Sequence, residues 1–108
     1  MCDGLEVEAR IDGRTTVLAL SGELTEHEGP TLEAFYDAFA GDASCVELDL
    51  AGITFIDSSG LRALLVVRRR AEDDGRGLRL VRPSRIVETL LEVTGLTTVF
   101  DGPLDEGR

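Results

Sequence analysis

Residues 45–61 read CVELDLAGITFIDSSGL, and this stretch joins a strand pattern to a helix pattern. Between Val46 and Leu50, apolar and acidic side chains alternate, which is typical of a half-buried β-strand. From Leu61 to Ala71, the apolar residues recur at the spacing of a helix instead. The chain is therefore predicted to leave a sheet and enter a helix at the four residues Asp57-Ser58-Ser59-Gly60.

Asp57 is placed to cap this helix, because its carboxylate can accept the unpaired N–H groups of the first turn. Ser58 then occupies the first helical position, at the positive end of the helix dipole and on the rim of the sheet. A hydroxyl there is exposed, and the neighbouring N–H groups favour an anion. A phosphate on Ser58 would change the local charge by about −1.5 to −2. The junction suits a phosphorylation switch; the alternative is that both serines serve only to start the helix.

On either side of the junction, the sequence predicts the element order β-β-α-β-α-β-α-β. Asp12-Gly13 lies between two alternating stretches and is a strong hairpin signal. Pro30 suits the first turn of a helix, and Gly41 and Gly95 suit helix ends. The predicted strands are 5–11, 15–20, 45–50, 78–81 and 97–100, the predicted helices begin at 30, 58 and 83–84, and 22–29 is a predicted loop.

Helical crossovers make parallel neighbours, so the sheet is predicted to be mixed, with the helices mainly on one face. The fold class is α/β (α+β), in one domain over residues 1–108 with a frayed tail at 102–108. Asp49, Arg62, Arg69 and Arg70 are predicted to point outward. The predicted core consists of Phe35, Tyr36, Phe39, Leu48, Leu50, Leu64, Leu65, Leu80, Leu90 and Leu91.

The composition narrows the function classes. A net charge of −10 argues against nucleic acid as a direct partner, and the charge is uneven: residues 1–57 carry a net of −11 and residues 58–108 a net of +1. Cys2 and Cys45 form neither a zinc motif nor a disulfide framework. No apolar run approaches the roughly 18 residues that would span a bilayer. We therefore expect a cytoplasmic protein with no membrane insertion, no metal and no cofactor.

The segment FIDSSGL at 55–61 closely resembles the phosphorylation-site signature of bacterial anti-sigma-factor antagonists, which are small members of the STAS family. Three further segments agree with that family in order and spacing: SGEL at 21–24, VELDL at 46–50 and VTGL at 93–96. The resemblance spans about residues 5–101 and implies a STAS-type fold. Family members often carry Asp directly after the GEL segment, where this chain has Thr25.

The resemblance implies that Ser58 is the phosphorylated serine and that Ser59 tunes the loop or contacts a kinase. It also implies two partners. The first is an anti-sigma-factor serine kinase, which the unphosphorylated protein binds, so that a sigma factor is released. The second is a serine phosphatase, which returns the phosphorylated protein to its unphosphorylated state. The small Gly60 is expected to admit a partner's backbone. We expect a monomer or a weak dimer whose partner-binding face comprises Glu23, Leu24, Thr25, Asp57, Ser58, Ser59, Gly60, Leu61 and Arg62.

Other function classes are weaker. A nucleophilic serine would need a base and an orienting carboxylate, yet the motif is not G-x-S-x-G and the only histidine, His27, lies in a predicted loop. The chain is therefore predicted not to be an enzyme, with no catalytic residue. Two alternatives remain open: a structural or adaptor STAS module of a transport or stress-signalling assembly, and a STAS domain that binds a small ligand such as a nucleotide or lipid.

Overall fold

The computed structural model describes residues 4–96 and contains one four-stranded sheet and three helices within them. The strands are β1 (Leu5–Asp12), β2 (Thr15–Leu24), β3 (Cys45–Ile56) and β4 (Gly77–Val81), and the helices are α1 (Gly29–Phe39), α2 (Ser58–Asp73) and α3 (Arg85–Thr94). The sheet order is β1-β2-β3-β4, with β1 antiparallel to β2 and the other neighbours parallel. The mixed sheet is confirmed, whereas the strand predicted at 97–100 and the tail at 102–108 lie outside the described residues.

The local signals at turns and helix ends are confirmed. Asp12 pairs with Thr15 across a two-residue hairpin turn, in which Gly13 adopts a φ of 65°. Ser84 precedes α3, and Gly95 ends it in the left-handed conformation that glycine adopts without strain. Each of these signals acts over two to four consecutive residues, which is why the sequence predicts them well.

The sequence placed the ends of β2 and β3 too early. Instead of ending near residues 20 and 50, the two strands stay paired as far as Leu24 and Ile56, with two shifts of register on the way. Gly52 pairs with Ser21 at one shift, and a Cβ on Gly52 would approach the Ser21 Cβ to 2.8 Å. Gly22, the first residue of the predicted loop, and Gly52 therefore lie at β-bulges inside long strands.

One apolar cluster fills the space between the sheet and the helices, and all three helices contribute to it. Its fully buried members include Leu18, Leu20, Leu24, Leu32, Tyr36, Leu48, Leu50, Leu64 and Val67. Among the other predicted members, Leu91 is buried and Phe35, Leu65, Leu80 and Leu90 pack against the cluster in part. Within residues 4–96, we find no helix with the length and apolar character needed to cross a membrane.

One predicted core residue is exposed, and one residue that points outward as predicted is nevertheless buried. Phe39 is 42% exposed, because it is the last residue of α1 and lines a surface cavity with Ile11 at the hairpin end of the sheet. Asp49 points away from the helices but is only 9% exposed. The Arg82 guanidinium covers it, donating from Nε and Nη2 to Asp49 Oδ2 at 3.1 and 2.9 Å.

Candidate functional site

The junction between β3 and α2 is built by Asp57. Its backbone is extended, with φ −122° and ψ −171°, and its Oδ1 accepts a hydrogen bond from the Gly60 N–H at 3.0 Å. Its carbonyl oxygen accepts the first helical bond, from the Leu61 N–H at 3.0 Å. The predicted cap is confirmed, and Ser58 is the first residue of α2. The carboxylate next to Ser58 is thus already held in place by the helix.

The two serines of the junction differ in exposure. Ser58 is exposed, whereas Ser59 is half-buried on the side of α2 that faces α1. Within residues 4–96, the Ser58 hydroxyl makes no hydrogen bond that would hold it in the helix cap, and that role falls to Asp57. Ser58 is therefore accessible to a partner, and its hydroxyl group is not needed to cap the helix.

Gly60 contacts this chain rather than open solvent. It is buried, and a Cβ at this position would overlap the Leu24 carbonyl oxygen and lie 3.0 Å from Ile56 Cγ1. The same carbonyl oxygen accepts the Asp57 N–H at 3.4 Å. The expectation that Gly60 admits a partner's backbone is wrong, since the end of β2 occupies that space.

The predicted partner face separates into exposed and buried residues. Leu24 and Leu61 belong to the apolar core, at 0% and 5% exposure, because both lie on the inner sides of their elements. Together with Gly60, they pack beneath the exposed residues and support them, and they are not available for contact by a partner. The accessible members are Glu23, Ser58 and Arg62, which are exposed, and Thr25, Asp57 and Ser59, which are half-buried.

The turn between β2 and α1 borders the site and is fixed by its own side chains. Glu28 Oε1 accepts hydrogen bonds from the Thr25 N–H, at 3.0 Å, and from the Thr25 hydroxyl. These two bonds, with a smaller contribution from His27, lower the pKa of Glu28. Thr25 occupies the position at which the resembling family often has Asp. Its two hydrogen bonds to Glu28 order the turn.

Phe55 is an exposed aromatic residue beside the site that the sequence reasoning missed. It is 46% exposed and pairs with Glu23 across β2 and β3, two residues before Asp57. The signal was present in the adjacent pair Phe55-Ile56, because consecutive strand residues point to opposite faces. Ile56 takes the inner position, at 5% exposure, so Phe55 faces solvent.

A shallow cavity of about 380 Å³ lies next to Ser59, between α1 and α2. Its charged lining comes from Glu26 and Glu33 on one side and Arg62 on the other, with Val66 among its apolar lining. Within residues 4–96, no group of three or more His, Cys, Asp or Glu side chains is arranged to hold a metal ion. The site offers hydroxyl, carboxylate, guanidinium and aromatic groups for contact with a macromolecule.

Comparison with known proteins identifies the family. A family model described as Mlab, STAS domain, matches residues 7–102. The chain belongs to the STAS domain family. The predicted family and the expected fold are confirmed, and STAS domain families are in general regulatory modules without catalytic activity.

Solved structures share the fold of this STAS domain. The anti-sigma factor antagonist SpoIIAA in its unphosphorylated form is 26% identical, with a TM-score of 0.69 over 84% of this chain and 82% of that one. An anti-sigma factor antagonist from Mycobacterium paratuberculosis is 22% identical, with a TM-score of 0.76 over 89% of this chain and 82% of that one. A sulfate transporter family protein from Wolinella succinogenes is 18% identical, with a TM-score of 0.71 over 84% and 75%. The search of curated proteins found no match.

The last two of these structures are below 25% identity and establish the fold alone. One of them is described as an anti-sigma factor antagonist and the other as a member of a sulfate transporter family. The STAS fold therefore occurs in proteins with different descriptions, and the fold alone does not determine the role of a chain that adopts it.

Proposed function

We propose that this STAS domain is an anti-sigma-factor antagonist whose binding to an anti-sigma-factor serine kinase is controlled by phosphorylation of Ser58. The observation that carries the proposal is the exposed, uncommitted hydroxyl of Ser58 beside a carboxylate that caps the same helix. The 26% identity to SpoIIAA, an anti-sigma factor antagonist, supports the same role. In this role the protein is cytoplasmic, and binding the kinase releases a sigma factor that activates transcription.

The accessible residues around Ser58 form the proposed docking surface: Glu23, Thr25, Phe55, Asp57, Ser58, Ser59 and Arg62. Phe55 supplies the apolar contact that interfaces use as an anchor, and the charged residues surround it. The acidic first half of the chain favours encounter with a basic surface on the kinase. We expect the free protein to be a monomer or a weak dimer.

Phosphorylation would act by charge at this surface. A phosphate on Ser58 adds about two negative charges next to Asp57, at a distance where repulsion is not fully screened. The fold tolerates the group, because Ser58 is exposed and the Asp57 cap does not use its hydroxyl. A partner that covers Ser58 has to bury that charge, and a 100- to 1,000-fold loss of affinity requires only ~2.7–4.1 kcal/mol. A serine phosphatase would reverse the change.

The test is calorimetric titration of three variants against the cognate kinase, with mapping of the phosphorylated residue. We expect Ser58→Asp to lose the kinase, Ser58→Ala to bind it constitutively and Ser59→Ala to be phosphorylated still. Ser44→Asp is the matched control, because it adds the same charge just before β3 begins, at the opposite end of that strand. Equal affinity of the Ser58→Ala and Ser58→Asp variants would exclude the electrostatic mechanism, and phosphate found only on Ser59 would exclude the site assignment.

An adaptor role in a transport assembly is the second candidate, supported by the fold shared with the sulfate transporter family protein from Wolinella succinogenes. An adaptor keeps its partner permanently and has no use for a modified serine. Co-purification of the wild-type protein and of Ser58→Asp with the same membrane ATPase would favour this role. Loss of the partner in Ser58→Asp alone would favour the antagonist.

A further inference from the structure

The arginines of α2 differ in whether an acidic side chain neutralises them. Three of the four form ion pairs: Arg68 with Glu72 at 2.8 Å, Arg69 with Asp73 at 3.9 Å, and Arg70 with Asp37 and, at 3.5 Å, with Glu33. Arg62 is exposed and forms no ion pair with any residue between 4 and 96. Its guanidinium is available for another anion.

Arg62 follows Ser58 by four residues, so the two side chains lie one turn apart on the same face of α2. The axial rise between them is about 6 Å, a separation that a long arginine side chain spans. Both residues are exposed. An acidic group four residues before a basic one is the favourable order for a pair on a helix, and a phosphate on Ser58 would create that order.

We propose that Arg62 binds the phosphate of phosphorylated Ser58 and holds it against α2. The inference rests on the proposed function, in which the kinase transfers the phosphoryl group from ATP. In that step the Ser58 Oγ–P bond forms, the bond to the leaving ADP breaks, and the hydroxyl proton is released. A guanidinium can donate two parallel hydrogen bonds to phosphate oxygens, which makes arginine better suited than lysine to this contact.

The charged groups around Arg62 determine whether it can make this contact. Glu26 and Glu33 of the α1 side line the same cavity as Arg62, and Glu33 lies 3.5 Å from Arg70. On α2 itself, the Asp57 carboxylate is bound to the Gly60 N–H. A phosphate on Ser58 carries about twice the charge of any one of these carboxylates and lies on the same helix as Arg62. The phosphate therefore competes successfully for Arg62.

This pairing gives the switch a second component. Without phosphate, the Arg62 guanidinium is open to a carboxylate or carbonyl group of the partner. With phosphate, the same guanidinium turns to the modified Ser58, so the partner meets a new anion and loses a cation. Both changes weaken binding, and one of them is provided by a residue that is never modified.

The test installs phosphoserine at position 58 during translation and follows the second pKa of the phosphate by ³¹P NMR. We expect this pKa to lie about 0.1–0.4 units lower in the wild-type chain than in Arg62→Gln, from the strength of such helical pairs. The difference should shrink in high salt, and Arg62→Lys should fall between the two. Arg69→Gln is the matched control on the exposed side of α2, and it should leave the phosphate pKa unchanged.

Equal phosphate pKa values in the wild-type chain and in Arg62→Gln would overturn the pairing. Because Arg62 is exposed, the Gln variant is expected to fold, and its amide NMR spectrum verifies this. The measurement needs no kinase. If the phosphate pKa depends on Arg62 while the cognate kinase leaves Ser58 unmodified, the pairing stands and the proposed function fails. If the kinase phosphorylates Ser58 while the phosphate pKa does not depend on Arg62, the pairing alone is overturned.

Discussion

The two ends of α2 use their polar groups in opposite ways. At the carboxyl end, the Tyr36 hydroxyl donates to Asp74 Oδ2 at 2.8 Å. Arg76 Nη1 donates to the carbonyl oxygens of Ala40 and Ala43, at 3.1 and 3.0 Å. These bonds join α1, the end of α2 and the segment before β4 into one polar cluster, which we call the Tyr36 cluster (Tyr36, Asp74 and Arg76).

At the amino end, only Asp57 is committed to the fold. Ser58 and Arg62 are exposed, and neither side chain is bound to another residue within 4–96. Phe55 exposes an aromatic ring nearby. One helix therefore has an end where the polar side chains stabilise the fold and an end where Ser58 and Arg62 remain free for the proposed partner. Substitutions of buried or bonded residues should therefore lower stability, and substitutions of exposed residues near the amino end should lower binding.

The substitution Gly60→Ala should have the largest effect on stability, because the new Cβ overlaps the Leu24 carbonyl oxygen. We expect the free energy of unfolding to fall by about 1–3 kcal/mol, which chemical denaturation measures. Gly29→Ala is the matched control: it also lies in the first turn of a helix, and its Cβ would make an ordinary contact with Ala63 at 3.5 Å. Similar stability of the two variants would contradict the close approach of β2 to Gly60.

The substitution Tyr36→Phe tests the opposite end and should cost about 0.5–1.5 kcal/mol of stability, because one partly buried hydrogen bond is lost. Kinase binding should be unchanged. Burial, together with the bond to Asp74, raises the Tyr36 pKa from 10.0 to about 12. The stability linked to the neutral phenol is therefore fully present below pH 10 and is lost as the pH rises from 10 to 12. The wild-type protein should therefore lose its advantage in free energy of unfolding over Tyr36→Phe within that pH interval. A difference between the two that stays constant with pH would contradict the raised pKa.

The substitution Phe55→Ala should have the smallest effect on stability and a clear effect on binding. Since the ring is 46% exposed, we expect the free energy of unfolding to change by less than about 0.5 kcal/mol. Affinity for the kinase should fall about tenfold or more, as measured by calorimetry. Ile11→Ala removes a 77% exposed side chain from the hairpin end of the sheet and should leave the affinity unchanged. Equal affinities for both variants would remove Phe55 from the docking surface.

The sequence predicted the features that depend on neighbouring residues. The start of α2, its cap at Asp57 and the hairpin at Gly13 follow from signals within a few positions. Two of the errors involve distant parts of the chain. Asp49 is buried by Arg82, which lies 33 residues away. Gly60 on α2 packs against Leu24, which is the last residue of β2. No local pattern states which segment will approach such a residue.

The candidate site was predicted in the same unequal way. The motif located Ser58 and its capping neighbour, because both roles follow from the start of one helix. It did not separate accessible residues from supporting ones, since that depends on which side of each element packs inward. Phe55 was missed although the alternation of adjacent strand residues exposes it once Ile56 faces inward.

The contact between Gly60 and the Leu24 carbonyl also affects how related sequences should be interpreted. Any relative that keeps this junction needs glycine at the equivalent position, whatever protein it binds. Invariance there would record an internal steric requirement, although the position lies inside the signature of a regulatory site. The choice of partner should instead depend on the solvent-facing positions beside it, those of Phe55 and Arg62 in this chain. Relatives that share a partner should therefore agree at these two positions as well as in the motif.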